Sequence, residues 1–261
     1  MLLASSFPLA ADVDDLLDPM VRTNAFARRR ELLQRQLVQG LVISLQLGSE
    51  AEARVARSAL AHHLPLLLAL SGSSPFWAGR DTGFASARVE LLDLGLRGEA
   101  PPLDVPVERD VGPRDMWFDL CFAANPTVLE VRICDVPHTV AEVATLAALV
   151  QHLAADAQRW PEEPPPVYST WMHNRREALR HGLDAVLQDE RGGRRSVRAL
   201  VTELVTWAPP RLATGLKMIL ALGNGATRQR QHYATSGALE AVVAAVVSEL
   251  DARPEPDAPL H

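Results

Sequence analysis

Two stretches of strict alternation, joined by four residues, constrain this chain more than any other feature of its sequence. Over Met116–Phe122, Phe118, Leu120 and Phe122 fall on one side and Trp117, Asp119 and Cys121 on the other. Over Thr127–Ile133, Leu129, Val131 and Ile133 fall on one side and Val128, Glu130 and Arg132 on the other. Successive strand side chains point to opposite faces, so a period of two predicts strands with one buried face. The connector Ala123-Ala124-Asn125-Pro126 suits an antiparallel hairpin. A third alternating stretch, Leu41–Leu47, predicts another half-buried strand. The outer face of the hairpin would collect Asp119, Glu130 and Arg132. An acid beside a guanidinium there can bind a substrate carboxylate, a phosphate or a divalent cation. The same pattern also fits a solvated face with a cross-strand ion pair.

The rest reads mainly as helix. Residues 24–38 and Glu52–Leu70 are helical, the second with a kink expected at Pro65. Thr139 and Glu142 form a capping box that opens a helix running to about Trp160. A PEEPPP linker follows. Asn174 with Glu177 predicts a capped start for a helix reaching Gln188. Residues 196–208, 211–222 and 237–251 are helical, the last with a stripe of Leu239, Val242, Val243, Val246, Val247 and Leu250. Residues 71–88 and 95–115 read as loops. Strands in front and helices behind predict an α+β fold rather than alternating βαβ units. One domain spans residues 24–250, with 1–23 and 253–261 flexible.

Several function classes drop out. A net charge of −6 does not favour nucleic acid or an anionic membrane. The apolar stretch at Leu64–Leu70 is too short to span a bilayer. Two cysteines, Cys121 and Cys134, make neither a disulfide scaffold nor a metal-ligand spacing. The first residues lack the basic start of a signal peptide, and a cytoplasmic location is expected. HExxH, GxSxG and P-loop motifs do not occur. Lys217 is the one lysine. Two Gly-rich segments could approach a ligand: residues 71–88, with Arg80, Asp81 and Arg88, and Gly223–Arg230, which equally fits a helix end followed by a new helix.

Four segments carry a resemblance. Leu64–Arg88 (LPLLLALSGSSPFWAGRDTGFASAR), Thr127–Val140 (TVLEVRICDVPHTV), His173–Ala185 (HNRREALRHGLDA) and Gly223–Tyr233 (GNGATRQRQHY) resemble, in order, blocks of the glutamate–cysteine ligase type 2 family. That resemblance implies a glutamine-synthetase-like antiparallel sheet with packed helices, here with front strands missing. It implies an ATP-dependent carboxylate–amine ligase that phosphorylates a small-molecule carboxylate and lets an amine attack the acyl phosphate. ATP and Mg²⁺ would be the cofactors. Carried over by position, Glu130 would ligate the metal. Arg132, Arg180 and Asn174 would be catalytic, and Arg80, Arg228 and Arg230 would contact the nucleotide. The sequence departs from the family pattern at Ser44 and Gln46, where potential ligands are expected, and at Cys121, where an arginine is expected. Those departures motivate two alternatives: a non-catalytic relative acting as an interaction or regulatory protein, or a gene fragment. An open sheet edge would offer a route to a homo- or hetero-oligomer.

Overall fold

The structure, a computed structural model, describes residues 38–95, 119–157 and 166–251. The expected helix at 24–38, residues 116–118, nearly all of the 95–115 loop, most of the PEEPPP linker and both tails lie outside the described residues. In chain order the elements are β1 (Ile43–Gln46), α1 (Glu50–Ser71), β2 (Phe76–Trp77), β3 (Arg80–Asp81), α2 (Ala87–Gly95), β4 (Leu120–Phe122), β5 (Val128–Val131), α3 (Val140–Ala157), α4 (Tyr168–His181), a 3₁₀ turn (Gly182–Asp184), β6 (Val186–Gln188), β7 (Arg194–Ser196), α5 (Val197–Trp207), α6 (Pro210–Leu222), α7 (Gly225–Ser236) and α8 (Leu239–Asp251). The fold is α+β, as the order of patterns predicts.

The three alternating stretches meet in one antiparallel sheet of order β1-β5-β4. Registry sets Ile43, Val131 and Leu120 in one row and Leu45, Leu129 and Phe122 in another. Between these rows lie Ser44, Glu130 and Cys121, which the pleat turns to the opposite face. The apolar rows rest on the helices. Leu60, Leu64, Leu67 and Leu68 of α1 are buried there with Leu146, Leu149 and Val150 of α3. Ser49 caps α1 by accepting from Glu52 N, and the helix continues through Pro65 to Ser71. α3 is apolar along its 18 residues, as a core helix is, and packs on α1 and α6. At the α3–α6 crossing an added Cβ at Gly215 would lie 2.1 Å from Thr145 Oγ1, so only glycine permits that approach.

Two expectations are corrected. The predicted helix from Asn174 to Gln188 is instead α4, Tyr168–His181, followed by the β6–β7 hairpin. Gly182, at φ 53, ends the helix in a backbone region that other residues rarely adopt. Asn174 sits inside α4 rather than at its cap. Its amide bonds both backbone groups of Gln188, donating to the carbonyl and accepting from the N–H at 2.7 Å each. Residues 71–88 are not purely loop: β2 and β3 form a two-stranded hairpin inside them, and α2 begins at Ala87.

A buried polar hub closes the end of the sheet. Asp135, fully buried, accepts from Ser73 N (2.8 Å), Ser74 Oγ (2.7 Å), Ser86 Oγ (2.8 Å) and Arg88 Nε (2.7 Å). Its own N–H donates to Ser71 Oγ at 3.2 Å. Arg88, also buried, reaches the carbonyl of Ile133. Arg88 is therefore a structural partner of Asp135 rather than a ligand contact in an open loop.

Candidate functional site

The outer face of the sheet is where polar chemistry gathers. Glu130, in the middle strand, has Ser44 opposite it on β1 and Cys121 opposite it on β4. Arg132, two residues on, returns to the same face and donates Nε to Glu130 Oε2 at 2.9 Å, and a terminal nitrogen to the same oxygen. Both side chains are about a fifth to a quarter exposed, so a solute can reach them. The other terminal nitrogen of Arg132 makes no hydrogen bond among the described residues. Burial raises the Cys121 thiol pKa, opposed by Arg132, so the thiol stays protonated and adds no charge to the row.

Asp119 stands opposite Arg132 in the same register, as the alternation argument expects, its carbonyl accepting from Arg132 N–H at 2.8 Å. It lies just before β4, buried, where it accepts from Arg175 Nε at 2.6 Å. A buried guanidinium needs a counter-charge, and Asp119 supplies it to Arg175.

The remaining candidates divide among three places. Arg80, Arg180 and Arg230 gather around the β2–β3 hairpin and the turn after it. Arg230 pairs with both carboxylate oxygens of Asp81 (2.7 and 2.8 Å) and donates to Phe84 O (3.0 Å). Arg180 lies over the Phe84 ring, 5.5 Å from its centroid. Arg80 is exposed and makes no ion pair among the described residues. Arg228 stands elsewhere, held by Glu142 (2.8 and 2.9 Å), Glu249 (2.9 Å) and Gly223 O (2.6 Å). Asn174 serves the β6 backbone, as above. Sequence reasoning thus placed Glu130 and Arg132 together, and the structure does so too. Among the described residues no hydrogen bond or ion pair joins them to the guanidinium groups near β2–β3.

Sequence reasoning missed Asp135 and His138. His138, fully buried, faces Glu249 through Nδ1 (3.0 Å) and Gln229 through Nε2 (2.9 Å). Burial opposes ionisation of Glu249, but His138 and Arg228 outweigh it and hold its pKa at about 2. A lone Asp or His between apolar residues carries no periodic signal, so nothing in the pattern marked either one.

The family model for glutamate–cysteine ligase family 2 matches residues 20–102 and 97–245. This chain belongs to that family. A provisionally named glutamate–cysteine ligase 2-3 of Rubrobacter xylanophilus is 36% identical over 80% of this chain and 62% of its own length. A provisionally named glutamate–cysteine ligase 2 of Gloeobacter violaceus is 33% identical over 81% of this chain and 64% of its own. A third, from Frankia alni, is 36% identical over 76% and 59% respectively. The chain therefore spans about three fifths of the curated relatives it matches.

The four segments that carry the glutamate–cysteine ligase family 2 resemblance converge on the hub. The first supplies Ser73, Ser74, Ser86 and Arg88, and the second Asp135. The third lends the Leu179 carbonyl, which accepts from Ala85 N (2.9 Å) and Ser86 N (3.0 Å). The fourth adds Asn224, whose amide donates to Ala69 O at 2.9 Å, and Ala226, whose N–H donates to Gly72 O at 2.9 Å. Much of the family signature therefore builds the frame that carries β5.

Proposed function

We propose that this protein is an ATP-dependent carboxylate–amine ligase that forms an amide through an acyl phosphate. The observation that carries the reading is the Glu130–Arg132 pair on the outer face of β5, in a chain of the glutamate–cysteine ligase family. Transferring a phosphoryl group to a carboxylate crowds negative charge into one place, and a fixed guanidinium stabilises it without reorganising. Arg132 is suited to that role, because Glu130 orients it while its other terminal nitrogen bonds none of the described residues. The exposed Arg80 and the Phe84-stacked Arg180 are the next candidates for phosphate contact.

The described part of the face does not by itself fit a magnesium site. Among the described residues no three His, Cys, Asp or Glu side chains gather closely enough to hold a metal ion. Glu130 offers one carboxylate, already engaged by Arg132, between an uncharged Ser44 and an uncharged Cys121. Mg²⁺ demands six oxygen ligands in near-ideal geometry.

That sparse row supports a second reading, a family relative that binds without turning over. Calorimetry with ATP, with and without Mg²⁺, separates the two when combined with an assay of phosphate release in the presence of glutamate and cysteine. Ligase function requires saturable ATP binding and amine-dependent phosphate release. Absence of ATP binding at millimolar nucleotide removes the ligase reading. Binding without turnover on a panel of acids and amines favours the second.

A further inference from the structure

His138 follows β5 and the Asp135 hub, and it is fully buried with both ring nitrogens engaged. Its neighbours fix where its proton sits. Glu249, 3.0 Å from Nδ1, is ionised at neutral pH, since its pKa is held at about 2. A carboxylate only accepts, so Nδ1 carries a hydrogen. On the other side, the Gln229 amide nitrogen lies 2.9 Å from Ser73 O and 2.9 Å from His138 Nε2. A carbonyl oxygen also only accepts, so the group facing it is the NH₂ of Gln229 and not the amide oxygen. One of its two hydrogens goes to Ser73 O. The other meets Nε2, which is therefore bare. The ring is the neutral Nδ1–H tautomer, matched donor to acceptor on both sides.

A second proton does not fit that arrangement. Placed on Nε2, it points at the Gln229 NH₂ group, donor against donor. The packing leaves no space to turn it elsewhere: a Cβ added at Gly225 would lie 2.9 Å from Nε2 and 2.5 Å from Ser73 Oγ. The charged groups about the ring are Glu249 of α8, which favours the proton, and Arg228 and His232 of α7, which sit on the Glu249 oxygens. Glu142 of α3 lies beyond Arg228. One rearrangement admits the proton. Turning the Gln229 amide over offers its oxygen to Nε2–H and withdraws its NH₂ from Ser73 O. The Ser73 hydroxyl is buried beside Nε2 and has no hydrogen-bond partner among the described residues. Such a group is rare in a protein, and the turned amide oxygen supplies the acceptor it lacks. Ser73 also holds the hub, its N–H donating to Asp135 at 2.8 Å.

We propose that His138 is a proton-operated switch with two hydrogen-bonded settings. Neutral, it leaves Gln229 bound to Ser73 O. Charged, it takes the Gln229 oxygen, releases Ser73 O, and binds Glu249 through a charge-assisted hydrogen bond, roughly twice as strong as a neutral one. A proton thereby moves the hold from the hub loop to α8. Nothing in the proposed ligase reaction uses His138, Gln229 or Ser73.

Imidazole ¹⁵N spectra of the full chain, stepped from about pH 8 to about pH 5, test it. His138 is assigned through its backbone, and His232 is followed separately. At the upper end His138 reads as the Nδ1–H tautomer with Nε2 bare. As it takes up a proton, the Gln229 side-chain amide and the Ser73 backbone amide move with the same midpoint. Gln229→Glu replaces the donor by an acceptor of the same shape and raises the proton affinity of His138 about tenfold or more. Ser73→Ala removes the hydroxyl that the charged setting uses and lowers that affinity about three- to tenfold. Three results on the wild-type chain overturn the proposal, whatever the variants do: an Nε2–H tautomer at about pH 8, a His138 titration that leaves the Gln229 amide unmoved, or a ring that stays neutral until the protein unfolds in acid. A folded Gln229→Glu protein with an unchanged His138 midpoint overturns it as well.

Discussion

Asp135 and Glu130 lie five residues apart on one stretch of chain, yet they live in opposite conditions. Asp135 is sealed from water and receives four donors from two stretches, Ser73–Ser74 and Ser86–Arg88. Glu130 meets solvent and receives one arginine. The first arrangement cannot lose a partner without stranding a charge in a medium that solvates it poorly. The second can, because water replaces what is removed. Sequence change at the open face, such as Ser44 and Cys121 beside Glu130, therefore leaves the fold intact, whereas the hub tolerates little.

Asp135→Ala tests that contrast most severely. It leaves Arg88 buried without its counter-ion and lowers stability by about 3–5 kcal/mol in chemical denaturation. A loss under about 1 kcal/mol would erase the distinction. An intermediate case is Glu249, partly buried with His138 and Arg228. Its folded pKa of about 2 lies below the ordinary 4.5, so its contribution is complete above pH 4.5 and is lost as pH falls towards 2. Glu249→Gln should flatten the acid limb of stability over that window, measured by denaturation at stepped pH. Glu130→Gln should change stability by about 1 kcal/mol or less. The same change, or Arg132→Ala, should reduce nucleotide affinity or phosphate release about tenfold or more, if the face binds phosphate. An unchanged affinity in both variants would take the pair out of the site. Smallest of all, Asp81→Asn should shift stability by roughly 0.5 kcal/mol, since the Arg230–Asp81 pair is open to water.

The sheet was legible because its signal is periodic. Leu41–Leu47 and the 120–133 hairpin alternate, and both pair as the alternation requires. One helix start was legible because Thr139 and Glu142 form a capping box, whereas the caps at Ser49 and Asn224 emerged only from the structure. Asn174 misled, because an asparagine ahead of a glutamate looks like a cap, whereas here its amide serves a distant strand. Parity placed Asp119 opposite Arg132, but not its pairing with the buried Arg175, which comes from a distant helix. Of the site, Glu130 and Arg132 followed from parity alone. The scatter of Arg80, Arg180, Arg228 and Arg230 did not, because sequence order says nothing of which acid each guanidinium will meet.

Registry across β1-β5-β4 puts a limit on how this family can vary. Slippage of β5 by a single position would swing Glu130 inward among leucines and valines and lift Leu129 into water. Because Asp135 is anchored a few residues downstream, such a shift would also have to tear out the serine cage around it. The strand is fastened at its buried end, so substitutions along its wet side leave the acid pointing outward.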